Sequence, residues 1–231
     1  MGLTEATLQA FRWLLEGDST IWGIVGVSLR VAMLALLSVT PLAILAGFGL
    51  ATLQFPGRRA LIVLVQTMLA LPTVVVGLIV YLLLTRNGPM GSFELLFTQQ
   101  GMVIGQALLA FPILTAMTLS AVQGIDARAS ETARTLGASP LRAALTVLTE
   151  ARFAVMAAIA TGFGRVLSEI GCAMMVGGNI AGITRNITTA IALETSKGEF
   201  AQGIALGVVL VALALGVNFG IAFLQGKGEI K

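Results

Sequence analysis

Two residues of opposite charge, Arg165 and Glu169, stand inside a long apolar stretch of the chain. Residues four apart share one face of a helix, so these two side chains can form an ion pair. Ionisable residues within an apolar span are costly and usually face a bundle interior or an aqueous path. The sequence leaves two roles open, a structural link between helices or part of a gate. Because Glu169 cancels most of the charge of Arg165, we do not assign Arg165 as a ligand for an anion.

Other reactive residue types are scarce and form no catalytic or metal-binding set. The chain has no His and one Cys, Cys172, which lies in an apolar segment and is predicted to be a packed thiol. Without His the chain lacks the commonest general base and metal ligand. A P-loop needs G-x-x-x-x-G-K-[ST] after a strand, and the nearest candidate, 220–228, has one residue too many and ends in Gly. We therefore predict no catalytic residue, no metal, no cofactor and no ATPase site.

A polar stretch near the middle of the chain, ETARTLGASP, predicts a helix-turn-helix unit. Asp126 is a good N-cap for a first short helix, and Gly137 suits the left-handed residue just past its end. Ser139 can cap a second helix, with Pro140 at its first position. An ordinary polar connector is the alternative, but it would need neither two caps nor so many small residues. We therefore predict a compact unit that contacts a partner.

The elements that carry these residues are predicted to be membrane-spanning helices. Of 231 residues, 57% are hydrophobic and 11% are charged, whereas a soluble domain has about 25% charged residues. About 20 apolar residues cross a bilayer core, and continuous rather than alternating runs favour helices. Five stretches are long enough, namely 21–53, 60–85, 101–125, 153–176 and 200–225. We predict an all-α bundle of about five spans in one domain, 1–231, with helix kinks at Pro41, Pro72 and Pro112.

The segment 1–20 precedes the first predicted span. It has no basic residue before an apolar run at its start, so a cleaved signal peptide is not expected. Apolar residues then recur at helical spacing, at Leu8, Phe11, Leu14 and Leu15. This pattern predicts a short helix that lies in the membrane interface and does not cross the bilayer.

Basic residues predict the orientation, because cytoplasmic loops are enriched in Lys and Arg. If the loop 126–146 is cytoplasmic, eight basic residues are inside and four outside, and Arg30 and Arg165 lie within spans. The inner ones are Arg58, Arg59, Arg128, Arg134, Arg142, Arg152, Lys227 and Lys231. The outer ones are Arg12, Arg86, Arg185 and Lys197. We predict an external N-terminus and a cytoplasmic C-terminus, and we attribute the net charge of +3 to this bias rather than to nucleic-acid binding.

The stretch ETARTLGAS resembles the cytoplasmic EAA-type loop of ABC importer permeases. Glu131, Ala133 and Gly137 stand at the matching positions, whereas Thr132 replaces the central Ala and the downstream VLTEAR departs from the common Leu-Pro. The resemblance implies a coupling loop, at 126–146, that sits in a cleft of an ATPase subunit. The residues that it assigns to coupling are Glu131, Ala133, Gly137 and Ala138.

A second stretch, GRVLSEIGCAMMVGGNIAGITRNITTAIALETSKGEF, closely resembles tungstate-type ABC permeases. Related oxyanion permeases have an Arg followed by a Gly-Glu-Phe-Gly-like element here, and the counterparts are Arg165, Glu169 and Gly171. The Gly-, Asn- and Thr-rich part that contains Asn179 and Arg185 lies on the predicted external side. The sequence leaves open whether this part is a docking surface, an outer gate or an ordinary loop.

The resemblance implies a type I importer permease in the plasma (inner) membrane of a prokaryote. The implied partners are a second copy of the chain, two ATPase subunits, an external binding protein and an oxyanion, with tungstate as the first candidate. Molybdate and sulfate are the alternative substrates, and a stand-alone secondary transporter is the alternative class. The coupling loop and the lack of an inverted repeat disfavour that class.

Overall fold

The computed structural model describes residues 3–225, and none of them forms a strand. This part of the chain contains eleven α-helices and one short 3-10 helix, Gly91–Phe93. The α-helices are α1 Leu3–Glu16, α2 Ser19–Thr52, α3 Arg58–Leu69, α4 Thr73–Leu84, α5 Gln99–Gln123, α6 Ala127–Thr135, α7 Pro140–Glu150, α8 Arg152–Leu167, α9 Gly171–Gly177, α10 Ile187–Lys197 and α11 Phe200–Gln225. The predicted all-α class is confirmed.

Three of the described helices are long and apolar enough to cross a bilayer alone. They are α2, α5 and the part Phe200–Ile221 of α11, and they confirm the first, third and fifth predicted spans. Because α2 has 34 residues, it is about 51 Å long at 1.5 Å per residue and extends beyond a hydrocarbon core of about 30 Å. Both α2 and α5 continue through their prolines, Pro41 and Pro112.

The second predicted span, 60–85, is not one helix. α3 ends before Pro72, α4 begins after it, and the two helices are bent by 101°. Proline lacks an N–H and disfavours helical backbone in the residue before it, and here it stands with extended backbone at the start of α4. The expected kink is therefore a break, which makes the pair a broken span or a re-entrant loop.

The prediction of one helix over 153–176 is also wrong. α8 ends at Leu167 and α9 starts at Gly171. α8 has 16 residues, about 24 Å, and it is long enough for a span only together with α7, from which it is bent by 60°. At the break, the Cys172 N–H donates to Glu169 Oε1 at 3.1 Å. The carboxylate thereby satisfies one of the N–H groups that the start of a helix leaves unpaired.

The N-terminal segment forms a helix, α1, as predicted, but it ends earlier than residue 20. Asp18 sets this boundary, because its Oδ1 accepts the N–H of Thr20 at 2.9 Å and so caps α2, which begins at Ser19. α1 packs on α11, where Ala10 is buried in one cluster with Leu206. The location of α1 in the membrane interface stays a prediction.

The core lies between α2 and α5, and α8 completes it. Leu36 of α2, Leu114 of α5 and Phe163 of α8 are buried in one cluster. The helices α2 and α5 come close at Gly47, where a Cβ would lie 2.6 Å from the carbonyl oxygen of Thr115. Since α5 leads into the predicted coupling loop and α8 leads to the break before α9, this core supports both candidate sites.

Candidate functional site

The predicted coupling loop folds as two capped helices. The Arg128 N–H donates to Asp126 Oδ1 at 2.9 Å, which caps α6. Gly137 follows the end of α6 with φ +85°, in the left-handed region that disfavours a side chain. The Arg142 N–H donates to Ser139 Oγ at 3.4 Å, which caps α7, and a proline is the first residue of that helix. The predictions for both caps and for Gly137 are confirmed.

The two helices of the loop form a unit of their own. α6 contacts chiefly α7 rather than the spans. Of the residues assigned to coupling, Glu131 and Gly137 are exposed, and Ala133 and Ala138 are partly buried. The structure thus places all four on one small unit, and their role in coupling remains a proposal.

Three exposed leucines give this unit an apolar surface. Leu136 is 84% exposed and Leu141 is 71% exposed, although both lie outside the long apolar helices. Leu145 is exposed as well and shares a face of α7 with Leu141, because the two are four residues apart. Leu141 and Leu145 were not predicted as contact residues, since their spacing matches that of residues packed inside a helical bundle. A cluster of exposed apolar side chains on a polar unit is typical of a contact surface.

The coupling loop also carries exposed basic side chains. Arg128, Arg134 and Arg142 are exposed, and none of them pairs with a carboxylate of a described residue. The loop therefore combines an apolar surface with unpaired positive charge. This chemistry fits a partner whose groove is apolar with an acidic rim.

The second candidate site is the ion pair at the break between α8 and α9. Arg165 Nη1 lies 3.2 Å from Glu169 Oε2, and the side chains are 45% and 3% exposed. The pair joins the last turn of α8 to the break rather than two turns of one helix, because α8 has ended before Glu169. Glu169 is thus held twice, by Arg165 and by the N–H of Cys172.

A buried network of polar groups continues from Glu169 to two further helices. Thr188 Oγ1 donates to the carbonyl oxygen of Glu169 at 2.7 Å. Asn186 caps α10 with its side chain, and the Ile187 N–H donates to Ser28 Oγ of α2 at 2.8 Å. This network was not predicted from the sequence, although Asn186 in front of an apolar stretch is an N-cap signal. These bonds tie the break to α2 and α10.

The segment with Asn179 and Arg185 is an ordered loop between α9 and α10. Thr184 is buried; its Oγ1 accepts the N–H of Ile180 and donates to a backbone carbonyl. Asn179 has φ +51°, and its buried Oδ1 has no hydrogen-bond partner among the described residues. Buried Arg185 Nε has none either. Neither Asn179 Oδ1 nor Arg185 Nε forms a hydrogen bond with the Arg165–Glu169 pair.

The thiol lies in the core, and the acidic residues of the described part of the chain do not gather around it. Cys172 is buried, as predicted, and packs with Val80 and Val176. Among these residues, no three His, Cys, Asp or Glu side chains lie close enough together to hold a metal ion.

The fold and both sites fall within one family match. The family described as "Binding-protein-dependent transport system inner membrane component" matches residues 19–226, from the start of α2 to the end of α11. The chain belongs to this family. This membership makes it a multi-pass membrane permease of the ABC importer type, in agreement with its long apolar helices.

Relatives of this permease are named for oxyanions. The tungstate uptake system permease protein of Campylobacter jejuni is 45% identical over 166 residues, 72% of this chain and 70% of that protein. The tungstate uptake system permease protein of Peptoclostridium acidaminophilum is 35% identical over 96% of this chain and 98% of that protein. The molybdenum transport system permease protein of Escherichia coli is 31% identical over 84% of this chain and 89% of that protein.

A solved structure shows the same fold. The crystal structure of a bacterial alginate ABC transporter, in complex with its periplasmic protein, contains a chain that is 16% identical to the permease with a TM-score of 0.72. The match covers 91% of the permease and 80% of that chain. The type I importer fold implied by the resemblance is confirmed.

Proposed function

We propose that the chain is the permease subunit of an ATP-driven importer whose substrate is tungstate. The observation that supports tungstate as the substrate is the order of the relatives by sequence identity. Two tungstate permeases are 45% and 35% identical to it, and the molybdenum permease is 31% identical. Molybdate and sulfate are tetrahedral dianions of similar shape, so they are the substrates against which the proposal must be tested.

The proposed partners are two ATPase subunits, an external binding protein and a second copy of the permease. The coupling loop supports the first of these. Its exposed Leu136 and Leu141 and its unpaired arginines suit a cleft on an ATPase better than they suit water or lipid. We place this loop in the cytoplasm and the N-terminus outside, with the pathway at the two-fold axis of the homodimer. Two of the basic residues that favour this orientation, Lys227 and Lys231, lie outside the described residues.

In the proposed mechanism the coupling loop transmits the movement of the ATPases. Caps at Asp126 and Ser139 hold α6 and α7 as rigid helices. α7 joins α8 at a bend of 60°, and α8 packs on α2 and α5 through the core. Closure of the ATPases on ATP would therefore move α8 against these helices and open the pathway outward. ATP achieves this by binding one conformation more tightly than the other.

We assign the Arg165–Glu169 pair a structural role in this mechanism, with a gate as the alternative. Glu169 is almost fully buried, and both of its carboxylate oxygens have partners, Arg165 and the N–H of Cys172. Its backbone carbonyl accepts a hydrogen bond from Thr188 of α10. A residue with three fixed contacts is suited to hold α8, α9 and α10 together rather than to bind a passing anion.

Competition of substrates tests the proposed function. Proteoliposomes that contain the permease, its ATPase and its binding protein are given tungstate, with molybdate or sulfate in tenfold excess. We expect tungstate to be taken up at the expense of ATP and to be displaced weakly by the other two anions. Preferential uptake of molybdate or sulfate would contradict the substrate. Uptake that needs an ion gradient but no ATP would contradict the class.

A further inference from the structure

A cavity opens between the start of α2 and the loop that precedes α10. Its volume is about 290 Å³. Its polar lining residues are Ser19, Thr20 and Arg185, and the rest of the lining, which includes Ile24 and Val27, is apolar or glycine. An ion of five heavy atoms fits this space together with several waters, each of which occupies about 30 Å³ in the liquid. Two hydroxyl groups and one guanidinium group are the polar side chains that such an ion would meet.

Arg185 is in an unusual state for a basic residue of this protein. Its backbone N–H donates to the carbonyl oxygen of Ile180, which fixes the start of the side chain. Its Nε is buried and has no hydrogen-bond partner among the described residues. Among the described basic residues, Arg185 alone combines partial burial with a side chain that makes neither a hydrogen bond nor an ion pair. A buried donor without an acceptor is costly, so an acceptor bound at Arg185 Nε would be stabilising.

The protein does not supply that acceptor from the neighbouring carboxylate. Asp18 is the acidic residue next to the cavity along the chain, but its Oδ1 accepts the N–H groups of Thr20 and Ile21. It forms no ion pair with Arg185 within the described part of the chain. No described residue hydrogen-bonds to the hydroxyls of Ser19 and Thr20, so both are available to a ligand.

We propose that this cavity is an anion-binding pocket, in which Arg185 supplies the charge and Ser19 and Thr20 supply hydroxyl donors to a tetrahedral oxyanion. Hydrogen bonds between a charged donor and an anion are about twice as strong as neutral ones, so Arg185 dominates the affinity. The proposal rests on the proposed function for two points, the external side of the pocket and tungstate as ligand. The pocket would then hold the ion near the outer end of the bundle before it enters the pathway.

Equilibrium dialysis tests the pocket directly. The purified full-length permease in detergent is dialysed against sodium tungstate, and bound tungsten is counted by mass spectrometry. We expect one saturable site per chain, and we expect Arg185→Gln to raise the dissociation constant at least about tenfold. Arg185→Lys should weaken binding less because it keeps the charge. Ser19→Ala with Thr20→Val should weaken it severalfold while the cap by Asp18 on the Thr20 backbone stays.

The matched control is Arg86→Gln, which removes one positive charge from an exposed residue on the same predicted side. Its binding should equal that of the original chain. Absence of a saturable site in the original chain would overturn the pocket, and so would equal binding by Arg185→Gln and Arg86→Gln. Tungstate uptake by the complete transporter is measured in parallel. Uptake without binding at the pocket refutes only the pocket, whereas a transporter that moves no oxyanion refutes the proposed function.

Discussion

Removing Arg165 should destabilise the permease more than removing Glu169 does. The reason is their unequal burial: the Glu169 side chain is 3% exposed and the Arg165 side chain is 45% exposed. Arg165→Gln leaves a buried carboxylate without its cation, and breaking a buried pair in this way costs about 3–5 kcal/mol. Because the rest of the chain leaves 45% of the arginine side chain uncovered, we reduce the cost to about 2–3 kcal/mol.

Glu169→Gln should be milder for two reasons. The Arg165 side chain is 45% uncovered by the rest of the chain, and a long arginine side chain can extend its charge toward water, so we expect a loss of about 1 kcal/mol or less. The Gln side chain also keeps an oxygen that can accept the N–H of Cys172, which Glu169 Oε1 accepts now. The double variant should resemble Glu169→Gln, because it leaves no buried charge.

Thermal unfolding of the three variants in the same detergent measures these differences. At about 2–4 °C per kcal/mol for a chain of this size, Arg165→Gln should lower the melting temperature by about 4–12 °C. The other two variants should lower it by about 4 °C or less. Equal losses for both single variants, which then add up in the double variant, would show that the two side chains do not interact.

Uptake by the same variants separates the structural role from a gate. If the pair is a structural link, the double variant recovers stability and tungstate uptake together. A double variant that is stable but transports poorly, or that hydrolyses ATP without the binding protein, would contradict the structural role and favour the gate.

Three further predictions concern the coupling loop, the topology and the buried polar network. Gly137→Val should abolish transport-coupled ATP hydrolysis without preventing membrane insertion, because φ is +85° there. Gly207→Val, at a helical glycine with open space around it, is the control. Normal coupling in Gly137→Val would refute the role of the loop. With Cys172→Ala as background, Ser92→Cys should react with an impermeant thiol reagent from outside, and Thr132→Cys should react only after the membrane is opened. The reverse pattern would show that the predicted topology is inverted. Asn186→Ala removes the cap of α10, which costs about 1–2 kcal/mol and lowers the melting temperature by about 2–8 °C. Ser196→Ala, at an exposed residue, should have no such effect. An unchanged melting temperature for Asn186→Ala would show that the network adds no stability.

The features that the sequence predicted correctly depend on neighbouring residues. Asp126, Gly137 and Ser139 act on backbone groups within three positions of themselves, so residue type alone indicates the caps and the turn. The long spans were also predictable, because a continuous apolar run predicts a membrane-spanning helix whichever helices it packs against. The Arg165–Glu169 ion pair could be predicted for the same reason, since its two residues are four positions apart.

The features that the sequence did not predict depend on distant parts of the chain. Apolar residues continue on both sides of Pro72, so the sequence does not distinguish a kink from the observed bend of 101°. The end of α8 depends on Glu169, whose contacts include Thr188, 19 positions away. Arg185 likewise lines one cavity with Ser19 and Thr20, which lie far from it in the chain at the start of α2. These contacts between residues that are distant in the chain form only when the helices pack.

ATP-dependent accumulation of tungstate is the measurement that tests the central claim most directly. Proteoliposomes with the permease and its ATPase subunit are supplied with tungstate-loaded binding protein outside and ATP at the ATPase side, and both tungstate inside and phosphate released are followed. We predict that tungstate accumulates against its gradient only while ATP is hydrolysed, and that loaded binding protein stimulates hydrolysis. Accumulation that continues without ATP, or hydrolysis that is indifferent to the loaded binding protein, would contradict the assignment of this chain as the permease of an ATP-driven tungstate importer.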